Sequence, residues 1–524
     1  MNGTTRVLAA GELAPECIAR LREDGLAVDE QAAWGEADLV AGVEGYDALI
    51  AGPGVPVSAA ILAAGHALRV VGRAGVDVIG VDVAEATRRG IIVVHAPDAG
   101  LVSEAEQALA LALACARDLA AADAQLRSAP APTPRLPGGI EVRGKTLGLA
   151  GVTASSGMLA ERARALGMTV LACDPDEAVA AAAGLDVAEP ARMYGQADVL
   201  VVATPAAGAA ALGAAELAAL KDGACVVSLS SGAVDHAALA HALEERRVTA
   251  AAVTVEPGAV APSPLAAAPH VLFTSAAEAF TADAHRRAGV SVAEQVAAVL
   301  RGRLLRGAVN VPAAGDDADE LMPYMDLCSR LGRLLVQLAG EPVGSVEITY
   351  GGSVAYFDTR LLTTGVLGGV LADRAETPVN FVNAEGIAAE LGVHASETRE
   401  SGIPDFPRLI TVAVAGSDGA MSVSGTSLGS EHKQRLVRVF GEDVDIAPAA
   451  HMAFLRYVDA PGIGGKVGTL LGEWGVNIGH LSVGRGKLGD EAVMALTLDE
   501  SLSEEQTAAL VDRCGLTYAR AVEL

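Results

Sequence analysis

Aromatic residues are scarce in this 524-residue chain: Phe, Trp and Tyr together make up 3% of it. Large rings cannot fill the interior, so Ala, Val and Leu must, because apolar residues still reach 51%. Basic residues are also few. Lys and Arg number 38 against 65 Asp and Glu, a formal net charge of −27. Such a surface repels phosphate backbones, and nucleic acid is not an expected partner. The six cysteines stand singly, as Cys17, Cys115, Cys173, Cys225, Cys328 and Cys514, with no CxxC and no Cys/His cluster. Neither a metal site nor a disulfide framework is expected, and each is read as a buried, inert thiol. Long apolar runs are missing as well. The most apolar helical pattern, ALALALACA (Ala108 to Ala116), lies between Glu104, Glu106, Arg117 and Asp118. It reads as a core helix too short to span a membrane. The opening MNGTTRVLAAG has no basic segment followed by an apolar stretch, so no signal peptide is expected. These absences point to a globular, cytoplasmic, enzyme-like protein without membrane partners.

What is present is alternation. RVLAAG, DALIAG, RVVGRAG and IIVVHAP are strand-like and separated by helical patterns. A second series follows: KTLGLAG, VLACD, DVLVVAT, ACVVSLS, TAAAVTV and HVLFTS. Alternation of this kind predicts parallel sheets with crossover helices. A long helix near Ser103 to Gln125 and the loop RSAPAPTPRLPGG, with Pro130, Pro132, Pro134 and Pro137, join the two series. After about Ala308 the pattern turns to mixed α+β. From near His451 the order is strand, helix, strand, strand, helix, which predicts a ferredoxin-like module. The expected fold class is therefore α/β: two Rossmann-like doubly wound domains, then an α+β domain, then the ferredoxin-like unit. The boundaries fall at 1–98, 99–284, 318–448 and 450–524.

Gly148 to Gly157 reads GLAGVTASSG, between a strand and a helix, and Asp174 ends the next strand about twenty residues on. This is the frame of a dinucleotide-binding turn. In such a turn the second glycine admits the pyrophosphate and the third lets helix and strand pack closely. Counted from Gly151, those positions hold Thr153 and Ser156. The helix N-terminus still favours an anion, Ser155 is a candidate N-cap, and Asp174 stands where a ribose hydroxyl would be read.

Several segments together resemble one family. They are RVVGRAGV with VDVAEATRRGIIVVHAP, SEAEQALALALA, GKTLGLAG and VTVEP, then VNFVNAEGIAAELGV, VSGTSLG and RYVDAPGIGGKVGTLLGEWGVNI. Over essentially its whole length the chain resembles the long form of the D-3-phosphoglycerate dehydrogenases, within the D-isomer 2-hydroxyacid dehydrogenases. The resemblance implies a substrate-binding-type first domain completed by about 285–312, a second domain for NAD, an intervening regulatory domain, and a C-terminal ACT domain. It implies that Arg73, Gly75 and Val76 face substrate and that Gly151, Ser155, Ser156, Gly157 and Asp174 line the cofactor site. Glu256, in VTVEP, matches the glutamate that pairs with the catalytic histidine.

The other two catalytic positions depart from the family. Ser231 stands where an arginine clamps the substrate carboxylate, and Ala276 where a histidine takes the hydroxyl proton. A serine cannot make a bidentate, permanently charged contact, and a methyl group carries no proton. His270 and His285 are read as surface histidines rather than substitutes. Pro205 is the one residue left of the family's next active-site stretch. In the C-terminal module, Tyr457, Asp459 and Asn477 match the contacts that in the family bind serine across a subunit interface. Arg435 remains basic near the end of the intervening domain, whereas Glu442 and Asp443 replace basic groups of an anion site.

Two readings follow. In the first, the chain is an impaired or inactive relative that keeps a serine- or amino-acid-sensing or subunit role, assembling with itself or with an active relative. In the second, it is an active NAD-dependent dehydrogenase with a remodelled cleft.

Overall fold

The computed structural model describes residues 5–128, 139–203, 212–256, 258–268, 270–275, 280–303, 308–311, 318–340, 342–375, 377–402, 406–416, 419–429, 432–485 and 490–524. The proline-rich loop, Pro205 and Ala276 lie outside these residues.

β1 (Arg6–Ala10), β2 (Ala27–Gln31), β3 (Ala48–Ala51), β4 (Val70–Arg73) and β5 (Ile92–Val94) form a parallel sheet in the order β2-β1-β3-β4-β5. β6 (Thr146–Ala150), β7 (Thr169–Cys173), β8 (Val199–Val202), β9 (Ala224–Ser228), β10 (Val248–Thr254) and β11 (Val271–Thr274) form a second, in the order β11-β10-β9-β8-β6-β7. All pairs in both sheets are parallel. Every residue of β3, β8 and β9 is buried, because helices cover both faces and a parallel strand then reads as a continuous apolar run. β2 escapes that rule. Its sequence AVDEQ sits at an edge, half exposed, and the sequence pattern missed it.

Two further expectations need correction. The helix near Ser103 to Gln125 is two helices, Leu101–Ala116 and Leu119–Ser128, broken where Asp118 takes a left-handed φ of 51°. The apolar stretch is also longer than ALALALACA. Pro97–Ala116 is long and apolar enough to cross a membrane by length and composition, yet half of it is buried inside the fold. Its Ala105, Ala108, Ala112 and Cys115 pack into the core of the second sheet.

Helix Ala282–Leu300 returns to the first sheet. A Cβ at Gly72 would stand 2.5 Å from Val292 Cγ1 and 3.0 Å from Val296 Cγ2, so glycine there lets the helix lie directly on β4. With few aromatics, small residues set this short spacing. Five of the six cysteines are buried and Cys173 is partly so. Burial alone pushes the Cys17 thiol up to about 12, which keeps it protonated and unreactive.

β12 (Ser345–Gly352), β13 (His394–Glu400), β14 (Arg408–Gly416), β15 (Gly419–Leu428), β16 (Lys433–Val439) and β17 (Glu442–Ile446) build a mixed third sheet, ordered β13-β12-β14-β15-β16-β17. Helices Ala318–Ala339 and Arg360–Leu371 share its core. The last sheet is antiparallel: β18 (His451–Val458), β19 (Ile478–Arg485), β20 (Glu491–Leu498) and β21 (Tyr518–Glu523), ordered β19-β20-β18-β21. With helices Ile463–Glu473 and Glu504–Cys514 this is a βαββαβ ferredoxin-like unit. Its final strand, YARAVE, alternates too weakly to be seen in the sequence. Gln337 ties it to the long helix, donating to the Glu523 carbonyl at 2.8 Å and accepting from the Glu523 amide at 2.9 Å.

Candidate functional site

In an open parallel sheet, ligands gather beyond the carboxyl ends of the strands, where the strand order reverses. In the second sheet that point lies between β6 and β8. Gly151 follows β6, Asp174 follows β7, Ser231 lies three residues beyond β9, and Glu256 two beyond β10. The fold thus brings the cofactor-side residues, Ser231 and Glu256 to one edge. His270 precedes β11, at the opposite edge, with its Nδ1 2.9 Å from Asp118 Oδ1. It is no substitute for a histidine at position 276.

The first sheet presents Arg73 at the end of β4 and Gly75 just beyond. The two edges meet beside helix Leu101–Ala116, which begins after Gly100. A Cβ at Gly100 would lie 3.2 Å from Val76 Cγ1, 3.4 Å from Glu104 Oε1 and 3.9 Å from Phe280 Cδ2. Ser103 Oγ lies 2.8 Å from Thr281 Oγ1, and Gln107 donates to Thr274 Oγ1 at 3.1 Å. These bonds tie helix Leu101–Ala116 to Thr274 at the end of β11 and to Thr281.

Within the turn, polar groups satisfy one another. The Thr153 amide donates to Ser156 Oγ at 2.9 Å, and Thr153 Oγ1 lies 3.0 Å from Ser155 Oγ and 3.2 Å from Ser156 Oγ. Ser155 and Ser156 are 5% and 3% exposed, so two of the three hydroxyls are buried, while Thr153 is partly exposed. Ser155 occupies the N-cap position of helix Ser156–Ala165, but its side chain makes no capping bond; its hydroxyl faces Thr153 instead. Asp174 accepts from the Val152 amide at 2.7 Å through Oδ2 and from the Asp176 amide at 2.9 Å through Oδ1. Gly151 takes a left-handed φ of 81°. Gly157 allows close packing, since a Cβ there would meet the Ala183 carbonyl oxygen at 3.2 Å. A pyrophosphate needs free amides at such a turn. Here one amide is capped by a serine hydroxyl and its neighbour by a carboxylate, and the β-branched Thr153 occupies the approach. The turn as it stands does not fit that group.

Arg73 is 8% exposed. Its Nη1 donates to the carbonyls of Gly52 and Val55, both at 2.8 Å. The guanidinium therefore braces the loop after β3. Burial holds its pKa below the usual arginine range, with Asp77 pulling the other way. Ser231 and Glu256 are both exposed.

One residue at this edge escaped sequence reasoning. His95 directly follows β5, and the Ala96 amide donates to the Gly75 carbonyl at 2.9 Å. His95 Nδ1 is buried and has no hydrogen-bond partner among the described residues. Burial lowers its pKa, opposed by Asp77 and Asp98, so the ring favours the neutral form that can accept a proton. The available signal was a histidine at the end of a strand in IIVVHAP.

The C-terminal candidates do not meet within one chain. Tyr457 and Asp459 lie at the end of β18, whereas Asn477 precedes β19. Leu498 pairs with both Ile478 and His451, so Asn477 stands level with the start of β18. Nine residues at 3.3 Å each separate the two positions by roughly 30 Å. Tyr457 is buried, and burial, then Asp459, raise its pKa. Asp459 pairs with Arg485 at 3.4 Å, and Asn477 donates to Asp499 at 2.8 Å. Near the end of the third sheet, Arg435 pairs with Asp445 at 3.3 Å and Arg438 with Asp443 at 3.0 Å. Those arginines are neutralised within the chain.

Two α/β domains, the first completed by a helix returning from beyond the second, define a D-isomer-specific 2-hydroxyacid dehydrogenase scaffold. The model of that family's NAD-binding domain matches residues 109–275, and the D-3-phosphoglycerate dehydrogenase intervening domain matches 320–440. A D-lactate dehydrogenase from Treponema pallidum has the same fold over 58% of this chain and 99% of its own, with a TM-score of 0.51 and 18% identity. D-3-phosphoglycerate dehydrogenase of Mycobacterium leprae is 37% identical over 482 residues, covering 90% of each chain. That of Archaeoglobus fulgidus is 31% identical over 529 residues, covering 99% of this chain and 100% of its own. The chain belongs to the D-3-phosphoglycerate dehydrogenase family.

Proposed function

We propose that this chain is a family member impaired in hydride transfer, acting in the cytoplasm as a serine- or amino-acid-sensing subunit in serine synthesis and assembling with itself or with an active relative. The observation that carries the reading is the self-capped turn, where the buried Ser156 Oγ takes the Thr153 amide. The replacement of the family's arginine and histidine by Ser231 and Ala276 agrees with it.

NADH fluorescence tests the first half. The protein is expected to give no enhancement below millimolar NADH. Thr153→Gly with Ser156→Gly, which frees the amide and opens the approach, is expected to tighten binding by about tenfold, or ~1.4 kcal/mol. Micromolar binding by the unaltered chain would sink this half.

The ligand-sensing half rests on Tyr457, Asp459 and Asn477. Because one chain separates Asn477 from the other two, a serine site would draw Asn477 from a second copy, which implies a homo-oligomer or a mixed one. An aspartate suits the ammonium of serine, which would compete with Arg485. Serine at a hundredfold excess over its Kd is expected to add about 2.7 kcal/mol of stability, read as a raised Tm that Asp459→Ala abolishes. No shift at millimolar serine argues against it.

His95 favours a second reading, an active dehydrogenase with a relocated proton carrier at the end of β5. In that case purified protein turns over a 2-hydroxy acid with NAD, and His95→Ala removes the activity.

A further inference from the structure

A cavity of about 430 Å³ lies on the far side of the first sheet from the site just described. Its walls include Arg69, directly before β4, and Arg89 and Gly90, just before β5, at the amino ends of the strands. Arg69 precedes β4 and Arg73 ends it, so the cavity and the cleft are separated by the strand's length, roughly 13 Å. Met322 and Met325 of helix Ala318–Ala339 and Phe381 close the other side. The cavity thus sits on the seam between the first α/β domain and the domain of the third sheet.

Its chemistry is unlike the rest of the chain. In a protein with 65 acidic residues, the described residues lining it include Arg69, Arg89, Arg303 and His66 and no carboxylate. Arg69 is braced by the carbonyls of Leu300 at 3.2 Å and Val299 at 3.5 Å. Arg89 pairs with Glu85, which also pairs with Arg88. Arg303 is exposed. The floor is apolar and adaptable, with two methionines, Phe381, Leu68, Ile92 and Val299. A concave apolar floor of this size under a few convergent cationic groups is the form of a small-molecule site.

Two hydrogen bonds among the described residues cross the seam beside it. Asn380 Nδ2 donates to the Gly90 carbonyl at 2.8 Å, and Asn383 reaches the Arg88 carbonyl at 3.5 Å. A ligand touching Gly90 and Asn380 together touches both sides of that joint, so occupancy stabilises the docked arrangement of the two domains.

We propose that this cavity binds a small organic carboxylate with an apolar body, its carboxylate facing Arg69 and Arg303 and its body lying on Met322, Met325 and Phe381. The site is independent of the turn at Gly151 and of the C-terminal module.

The test uses the full chain labelled with 13C at the methionine methyls. Octanoate is the probe, octan-1-ol its uncharged counterpart, and inorganic phosphate a head without a body. Met322→Leu and Met325→Leu assign the two signals. Octanoate is expected to shift the Met322 and Met325 resonances and bind at least tenfold more tightly than octanol or phosphate. Arg303→Glu, on an exposed side chain, is expected to weaken octanoate at least tenfold and leave octanol unchanged. A second variant, Met325→Trp, fills the floor and is expected to abolish binding while the circular dichroism spectrum stays the same. The proposal falls if octanoate in large molar excess moves neither signal, if octanol binds equally well, if phosphate alone binds as tightly, or if Arg303→Glu has no effect.

Discussion

Replacing Ser231 with arginine and Ala276 with histidine together is expected to raise 3-phosphoglycerate oxidation by about a hundredfold or more, within the ~10²–10⁴ that a positioned acid–base group supplies. The variant is made in the Thr153→Gly, Ser156→Gly background, so that cofactor binding does not limit the outcome. The scaffold has room for the arginine. Ser231 is exposed three residues beyond β9, and the left-handed Gly232 after it, with φ 77°, already makes the turn. A long side chain there disturbs no core. Glu256 stands exposed beyond the adjacent strand, available to orient an imidazole. Each single replacement is expected to do little. A clamped substrate without a proton acceptor does not react, and an acceptor beside an unclamped substrate is misaligned. NADH appearance at 340 nm, roughly the nicotinamide absorption band, reads the rate, and the double variant should exceed the product of the two singles. If the unaltered chain already oxidises 3-phosphoglycerate at an ordinary enzymatic pace, or the double variant binds NADH and gains nothing, the account of the cleft is wrong.

The sequence made the second sheet legible because all six of its strands are short apolar runs, and most are covered on both faces. β2 and β21 were hidden for the opposite reason. They lie at sheet edges, and AVDEQ and YARAVE carry charge where a buried strand would not. The helix break at Asp118 was invisible because an aspartate, not a glycine, takes the left-handed conformation. At the site, residue types were readable but their partners were not. That Thr153 and Ser156 replace glycines is a statement about sequence; that Ser156 Oγ takes the Thr153 amide is one about geometry. His95 was overlooked since nothing in IIVVHAP shows which ring nitrogen ends up buried. The cavity at the seam could not be seen at all, because its walls come from segments around 66–69, 89–92, 299–303, 322–325 and 378–381. The separation of Asn477 from Asp459 likewise follows from strand register, which no motif encodes.

Gly369→Ala is expected to destabilise the domain of the third sheet by about 3 kcal/mol, at the upper end of the usual cost of overpacking. Helices Ala318–Ala339 and Arg360–Leu371 cross through their glycines. A methyl group at Gly369 would overlap the Ser329 carbonyl oxygen and lie 2.8 Å from the Arg333 amide nitrogen. Both obstacles are backbone, so no rotamer change relieves them. On the facing helix, a Cβ at Gly332 would overlap the Val366 carbonyl. The helices would have to move apart, and Leu331, Leu334, Leu335, Val366 and Val370, all at most 1% exposed, would lose their mutual contacts. Against this, alanine gains up to ~1 kcal/mol of helix propensity over glycine, which is too little to offset the clash. Gly368→Ala is the control. It sits on the same helix one residue earlier, and a Cβ there meets nothing within 4 Å, so only the propensity gain remains and the variant is expected to be neutral or slightly more stable. Urea titration followed by circular dichroism reads both variants as the shift of the transition belonging to this domain, since a chain of several domains need not unfold in one step. Opposite signs for neighbouring Gly→Ala changes are the signature of a helix crossing set by backbone contact. Equal shifts would show that the crossing can open, and that the close approach of the two helices does not hold this domain together.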